Sequence, residues 1–298
     1  MTKKIWLITF GECSRLERFR EESVKRGVAL EVIKTYNIHI TDDKVVRDGE
    51  EISFQKGDVV WTISNNAVAH HLIRYLSARF GKKIKFIWTN TEAINYSDKF
   101  FGNSFFSFID IPTPKTVFVN TFKDHKIERL VNYVGGYPCV IKANIGSMGN
   151  GVEMANSVVE IKEFIRRKME ARVDVPFRRG SFILQEFIKE SAGTDFRVLV
   201  LNGKILGAIK RTAQNGDFKA NVSLGGKAEI IKIDKEMKKM VKKIMKKGKI
   251  FYAGIDFIKS ERGYLALEIN TSAQFKGFEK ATGINVAGKI MEALLAKK

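Results

Sequence analysis

The chain has 298 residues, 44% hydrophobic and 29% charged, enough for one large or two to three modest domains whose core needs neither disulfides nor structural metal. Its two cysteines, Cys13 and Cys139, exclude a disulfide framework and a thiolate metal cluster; with no apolar run near 18 residues and an opening MTKKIWLITFGECS too soon interrupted for a signal peptide, a cytoplasmic chain with no membrane partner is expected. Charge is the anomaly: 52 Lys and Arg face 33 Asp and Glu, and 36 of the basic against 20 of the acidic residues lie in 99–298, so the later part of the chain should attract an anionic partner.

IWLITF (5–10) is the first expected strand, followed by an amphipathic helix to about residue 25 and a strand VALEVI (28–33). VVWTI (59–63) and IKFIW (84–88) are further strands around a helix at 67–78. Strands alternating with helices at this spacing predict a small parallel sheet with helices on its faces. GECSRL at 11–16 holds a single glycine, which argues against a dinucleotide site after the first strand. Ile111-Pro112-Thr113-Pro114 is a rigid connector, since each proline disfavours helix in the residue before it, and it marks a boundary near 98–116. Beyond it come a strand at 115–119, a helix at 124–134, a strand ending in Lys142, a charged helix at 159–171 and the strand SFILQEFI (181–188), with 172–180 reading as a mobile loop. FRVLVL (196–201) and KILGAI (204–209) are joined by Asn202-Gly203, the strongest short-range hairpin signal. In 232–249, nine lysines accompany apolar residues at 237, 240, 241, 244 and 245, the spacing of a helix with one buried face. Few aromatics interleave with those lysines, which argues against a stacking surface for single strands, and nucleic acid is not required as a partner.

Gly146, Ser147, Met148, Gly149, Asn150 and Gly151 follow the strand that ends in Lys142. Three glycines in six residues let backbone N–H groups turn toward a phosphate, although the lysine–serine ending of a P-loop is missing and a plain turn has the same composition. Lys142, closing the apolar PCVIK, must reach solvent or meet an anion. Asp256 lies in AGIDFI, and Glu268 and Asn270 lie in LALEINTS. Two-residue spacing on a strand points Glu268 and Asn270 to one face, and a hairpin partner strand brings Asp256 beside them. Two carboxylates and an amide oxygen suit Mg²⁺ bound through ligand phosphates. Asp195 and Arg197 share the same-face spacing, Arg211 ends the following strand with a planar fork suited to developing negative charge, and Asn221 is a further polar candidate. His39, His70, His71 and His125 show no ligand spacing with the cysteines, so no competing transition-metal site is expected.

In order, SDK (97–99), IPTPKT (111–116), PCVIKANIGSMGNGV (138–152), QEFI (185–188), GTDFRVLV (193–200), IKRTAQNGDFKAN (209–221), GGKAE (225–229), AGIDFI (253–258), LEIN (267–270) and KGFEKATGINVAGKI (276–290) resemble the ATP-grasp superfamily, and more closely its RimK-like branch of carboxylate–amine ligases. That resemblance implies an α/β N-terminal domain with a small parallel sheet (1–98) followed by a two-lobed α+β ATP-grasp fold (99–184 and 185–298). It implies ATP and two Mg²⁺ ions, replaceable by Mn²⁺. Lys99 and Lys142 would contact the nucleotide phosphates under the 146–151 loop. Gln185, Glu186, Phe187 and Ile188 would link the lobes with adenine against their backbone. Asp195 would lie by the ribose and Arg197 would face the transferring phosphate. Asp256, Glu268 and Asn270 would hold the ions, and Arg211 and Asn221 would steady the acyl phosphate and the substrate carboxylate.

The activity so implied is ATP-dependent ligation through an acyl phosphate, adding an amino acid, glutamate favoured, to an acidic protein C-terminus or an anionic small-molecule cofactor, by a homo-oligomer (dimer or tetramer). Two alternatives are a phosphoryl-transfer enzyme that forms no amide and a basic RNA- or ribosome-binding protein with a vestigial nucleotide fold. Two places depart from the family pattern: Leu224 stands where an arginine commonly precedes the glycine pair, with Lys227 nearby to carry charge, and Thr271-Ser272-Ala273 stands where Ser-Pro commonly follows the E-x-N strand.

Overall fold

In a computed structural model, which describes residues 4–64, 66–87, 98–146, 151–170, 180–214 and 226–296, the chain opens with β1 (Lys4–Thr9), α1 (Ser14–Arg26) and β2 (Ala29–Lys34). Three short strands follow, β3 (Ile38–Ile40), β4 (Val45–Arg47) and β5 (Glu50–Glu51), then β6 (Val59–Thr62), α2 (Ala67–Phe80) and β7 (Lys85–Phe86). The expected parallel sheet forms in the order β2-β1-β6-β7. α1 stops at Gly27, which takes the left-handed conformation, and Asn66 caps α2 by accepting from the Ala69 N–H. β3, β4 and β5 make a separate antiparallel sheet that the sequence did not announce, because runs of two or three residues are too short for a period to register.

The middle of the chain supplies α3 (Lys99–Phe108), β8 (Thr116–Val119), α4 (Asp124–Tyr133), β9 (Cys139–Ala143), β10 (Val152–Ala155), α5 (Val158–Glu170) and β11 (Phe182–Glu186). These strands form an antiparallel sheet, β10-β9-β11-β8. One face is covered by α4 and α5, whose Ile127, Val131, Ile161 and Phe164 pack on Ile141 and Leu184. β11 ends at residue 186, after which a 3₁₀ turn occupies Lys189–Ser191. The loop expected at 172–180 lies, apart from Gly180, outside the described residues.

The last part is β12 (Thr194–Leu201), β13 (Lys204–Thr212), β14 (Lys227–Ile231), α6 (Lys235–Gly248), β15 (Tyr252–Ser260), β16 (Gly263–Asn270), α7 (Lys276–Thr282) and α8 (Val286–Leu295). The sheet is antiparallel in the order β14-β13-β12-β15-β16. The β12–β13 hairpin turns on Asn202 and Gly203, both at positive φ (46° and 76°), as a two-residue turn of this type requires. α6 buries Met237, Met240, Val241, Ile244 and Met245 against Val198, Val200, Ile255 and Phe257 and leaves most of its lysines in solvent.

Two features position the site. The division at residue 98/99 is crossed by Asp98, which caps α3 by accepting from Phe101 N–H and accepts from Asn144 Nδ2, while Phe106 of α3, with Ile109 and Ile111, carries the middle part of the chain into the core under the C-terminal sheet. The division at 184/185 is crossed by β11, whose Gln185 and Glu186 pair with Val140 and Cys139. A larger core joins the first unit to the last, with Leu7, Leu16, Phe19 and Trp61 packed among Leu199, Ile209, Tyr252, Phe275, Phe278 and Ile290. Among the described residues, no helix is long and apolar enough to cross a membrane.

Phe275 sits in that joint core, fully buried, with its ring edge-on to Phe19 and Tyr252 at 5.8 and 6.4 Å. Phe275→Ala is expected to lower stability by about 3–5 kcal/mol. Urea unfolding followed by tryptophan fluorescence measures this directly, since Trp61 lies in the same core.

Candidate active site

On the C-terminal sheet, register decides which side chains meet. Asp195 lies opposite Arg211, Arg197 opposite Asp256, and Asp256 opposite Glu268. Side chains directly opposite share a face, so five charged groups from four strands line one surface. The other face is apolar, carrying Val198, Val200, Ile255, Phe257 and Ile269. Alternation would place Ala266 with Glu268, yet Ala266 is in the apolar core. The reason is a bulge: Asp256 pairs with Glu268 while Phe257 pairs with Ala266, so Leu267 is the extra residue and the strand changes phase there.

Asp256 is 1% exposed and bound by two arginines. Arg197 donates through Nε and Nη2 to its two oxygens at 2.7 and 2.6 Å, and Arg211 Nη2 adds a bond at 2.9 Å. Burial opposes ionisation of this carboxyl, but the two guanidiniums more than offset it and hold it well below the usual carboxylate range. Arg211 also grips Asp195, at 2.5 and 2.6 Å. Burial pushes Asp195 up to about 6 against the pull of Arg211, with Asp256 adding repulsion. Burial works against the Arg211 charge too, but Asp256 and Asp195 raise its pKa above the ordinary value.

The central sheet turns its uncovered face the other way. Lys142, opposite Ile183 on β11, is buried, and its Nζ donates to Gln185 Oε1 at 2.6 Å. Burial pushes the ammonium down to about 8, with Glu268 opposing that shift and Lys99 adding to it. Lys99, at the start of α3, donates to the Gly146 carbonyl at 3.0 Å; burial lowers its pKa while Glu268 and Asp98 resist. Glu268 therefore lies within electrostatic reach of both lysines as well as of Arg211. Among the described residues neither lysine has a carboxylate at ion-pair distance.

Several residues that hold this geometry carried no signal of their own in the sequence. Asn144 ties β9 to α3: its Oδ1 accepts from Phe100 N–H at 2.9 Å and its Nδ2 donates to Asp98 at 2.8 Å. Gln185, once bound to Lys142, donates from Nε2 to Asn103 Oδ1 at 3.2 Å and to Thr116 Oγ1 at 2.9 Å. Thr113 donates to Asn103 Oδ1 at 2.6 Å and is also within hydrogen-bond distance of the Ala266 carbonyl, at 2.8 Å. One polar chain thus runs from the lysine, through α3 and the proline connector, to the strand that carries Glu268. Its parts lie up to 153 positions apart, which no local pattern encodes.

The other expected positions fall as follows. Gly151 lies against β9, where an added Cβ would come within 2.9 Å of Ala143 Cβ, and its carbonyl accepts from Ala143 N–H. Gly146 is exposed, and Ser147, Met148, Gly149 and Asn150 lie outside the described residues, as do Asn221 and Leu224. Glu186 pairs with Arg262 at 2.7 Å, while Phe187 is half-buried and Ile188 buried behind it. Asp195, expected beside a ribose, accepts from Arg211 through both oxygens. Asn270 Oδ1 accepts from Ser272 N–H at 3.1 Å. Lys227 is exposed and paired with Glu229.

This donor set fits a metal–nucleotide. Two lysines without carboxylate partners offer charge for phosphates, and Glu268, Asn270 and Asp256 offer oxygens across from them. Among the described residues no cluster of three or more Asp, Glu, His or Cys side chains could hold an ion unaided. Any Mg²⁺ ion on these oxygens would need phosphate oxygens to complete its octahedral shell.

Comparison with known proteins agrees in class. A RimK-like ATP-grasp domain model matches residues 96–294. The chain is 38% identical over 214 residues to a probable alpha-L-glutamate ligase of Legionella pneumophila, covering 71% of this chain and 68% of that one. It is 36% identical over 215 residues to another from Shewanella pealeana, covering 70% of this chain but only 45% of that protein, so it spans less than half the length of that relative. The ATP-grasp ligase PsnB, solved with a phosphomimetic variant of its minimal precursor, Mg and ADP, superimposes with a TM-score of 0.66 at 18% identity over 99% of this chain and 98% of that one, a likeness of fold. The fold is that of the ATP-grasp ligases. Within them, the chain belongs to the RimK-like family.

Lys142 gives a test that needs no ligand. Its folded value of about 8 lies below the ordinary 10.5, so between those values the unfolded chain binds the extra proton. The penalty is fully present below pH 8 and fades as pH rises toward 10.5. Lys142→Met is therefore expected to stabilise the protein at pH 7 by about 1–3 kcal/mol, with little gain near pH 10.5. Urea unfolding of both proteins at the two pH values decides it.

Proposed function

We propose that the protein is an ATP-dependent carboxylate–amine ligase that adds an amino acid, with glutamate favoured, to an anionic acceptor through an acyl phosphate. The observation that carries this reading is the opposition of two sheet faces: Lys142 and Lys99 on one, and Glu268 beside the Arg197–Asp256–Arg211–Asp195 array on the other. The names of the glutamate-ligase relatives support glutamate as donor. The peptide substrate of PsnB supports a peptide acceptor, and the surplus of basic residues in 99–298 supports an acidic one.

In this reading Lys142 and Lys99 neutralise phosphate oxygens, and Gln185 fixes where the Lys142 charge sits. Glu268 and Asn270, with Asp256 shared with its arginines, hold two Mg²⁺ ions, for which Mn²⁺ can substitute. Bound metal screens the phosphate charge against the incoming carboxylate. Arg197 stands on the same face, suited to the transferring phosphoryl group, and Asp195 keeps Arg211 oriented for the acyl phosphate and the oxyanion. A substrate carboxylate oxygen bonds to the γ-phosphorus as the bond to ADP breaks. The acceptor or donor amine then bonds to the carbonyl carbon and loses a proton, and the bond to phosphate breaks. The retained charges on both faces count against a vestigial site, because buried ionised groups cost stability unless they are used.

The test is ADP release from ATP and Mg²⁺ with glutamate across a panel of acidic peptides and anionic small acceptors, read together with product mass. Acceptor-dependent ADP with a mass gain of whole glutamyl units is expected. Glu268→Gln should lower the rate at least 100-fold, about 2.7 kcal/mol of barrier. A stable phosphorylated product with no amide would favour simple phosphoryl transfer, and no acceptor-dependent ADP across the panel would sink ligation.

A further inference from the structure

We infer that Arg15, on α1 of the N-terminal unit, is a positioning residue for the Asn270 end of the metal–nucleotide site in the C-terminal sheet. The inference rests on the reading of Asn270 as a metal ligand. Arg15 is 8% exposed and donates from Nη1 to the Ser272 carbonyl at 2.6 Å and from Nη2 to the Ile63 carbonyl at 3.0 Å. Ser272 Oγ reaches the same Ile63 carbonyl at 3.0 Å, and Ser272 N–H donates to Asn270 Oδ1 at 3.1 Å. Tyr252 holds the next carbonyl, that of Ala273, at 3.0 Å. The turn that leaves β16 is thus tied to the Ile63 carbonyl just after β6 twice, directly through Ser272 Oγ and by way of Arg15, and the orientation of the Asn270 amide depends on that turn.

The cost of the arrangement argues that it has a use. Among the described residues no carboxylate pairs with Arg15, its Nε is buried without a hydrogen-bond partner, and burial lowers its pKa. An arginine buried against neutral carbonyls costs stability, and that cost is kept where its planar fork fixes something that must not move. A metal ligand at a strand end is such a group, because bonds behind a ligand set how well it meets the ion.

The experiment measures ADP affinity by fluorescent-nucleotide displacement across a series of Mg²⁺ concentrations. In Arg15→Met the Mg²⁺ needed for half-maximal ADP binding is expected to rise about tenfold, while metal-free ADP affinity changes less than about twofold. Arg15→Lys keeps one donor for the Ser272 carbonyl and should recover part of the loss. Ser272→Ala leaves Arg15 in place, removes the Oγ bond to the Ile63 carbonyl, and should shift the Mg²⁺ requirement the same way by a smaller factor; it decides the matter if Arg15→Met does not fold. Equal losses with and without metal, or an unchanged Mg²⁺ requirement in the variants, would overturn the inference alone. Absence of Mg²⁺-dependent ADP binding in the unaltered protein would overturn it together with the reading on which it rests.

Discussion

An ammonium group taken out of water needs an anion, and among the described residues Lys142 hydrogen-bonds only to an amide oxygen. Everything around it follows from that constraint. β9 is buried along its whole length and Lys142 is only 9% exposed, so the ammonium is largely removed from bulk water. Gln185 must present its oxygen to the lysine, which commits its nitrogen to Asn103 and Thr116. Those residues in turn sit where α3 and the proline connector cross to the C-terminal sheet. The fold thus assembles a cation that, among the described residues, has no carboxylate at ion-pair distance and feels Glu268 only from farther away.

The two faces handle charge in opposite ways. On the C-terminal sheet carboxylates and guanidiniums satisfy one another, through short two-pronged pairs that fix both partners. Lys142 of the central sheet and Lys99 of α3 have, among the described residues, no carboxylate at ion-pair range. In the proposed reading, a neutralised set of side chains facing a positive one would favour polyanions, and low-dielectric surroundings would strengthen that preference. The pairing on the acidic wall also prevents Asp195 and Asp256, which repel each other, from destabilising the face before anything binds.

Local patterns made much of this legible. Asn202-Gly203 announced its hairpin, the alternating elements announced the parallel sheet, and the spacing of Glu268 and Asn270 announced a shared face. What stayed hidden depends on register or distance. The phase change at Leu267 comes from a bulge, which leaves no compositional trace. The two-arginine grip on Asp256 joins three strands, and which carboxylate an arginine takes is decided only when the sheet forms. That same register turned Asp195 toward Arg211. Asn103 and Asn144 looked like ordinary polar residues because their partners arrive from distant segments.

The core shared by Trp61, Leu199, Phe275 and Ile290 has a bearing on where the molecule can be cut. The RimK-like domain match begins at residue 96, yet the C-terminal sheet packs Leu199 and Ile209 against the first parallel sheet and its helix. A fragment starting at that position would bare Leu199, Ile209, Phe251 and Phe275 together, a sticky patch in place of an interior. The segment that carries the family match and the segment able to fold alone therefore differ in this chain, and a version cut at residue 96 would aggregate before it could be assayed.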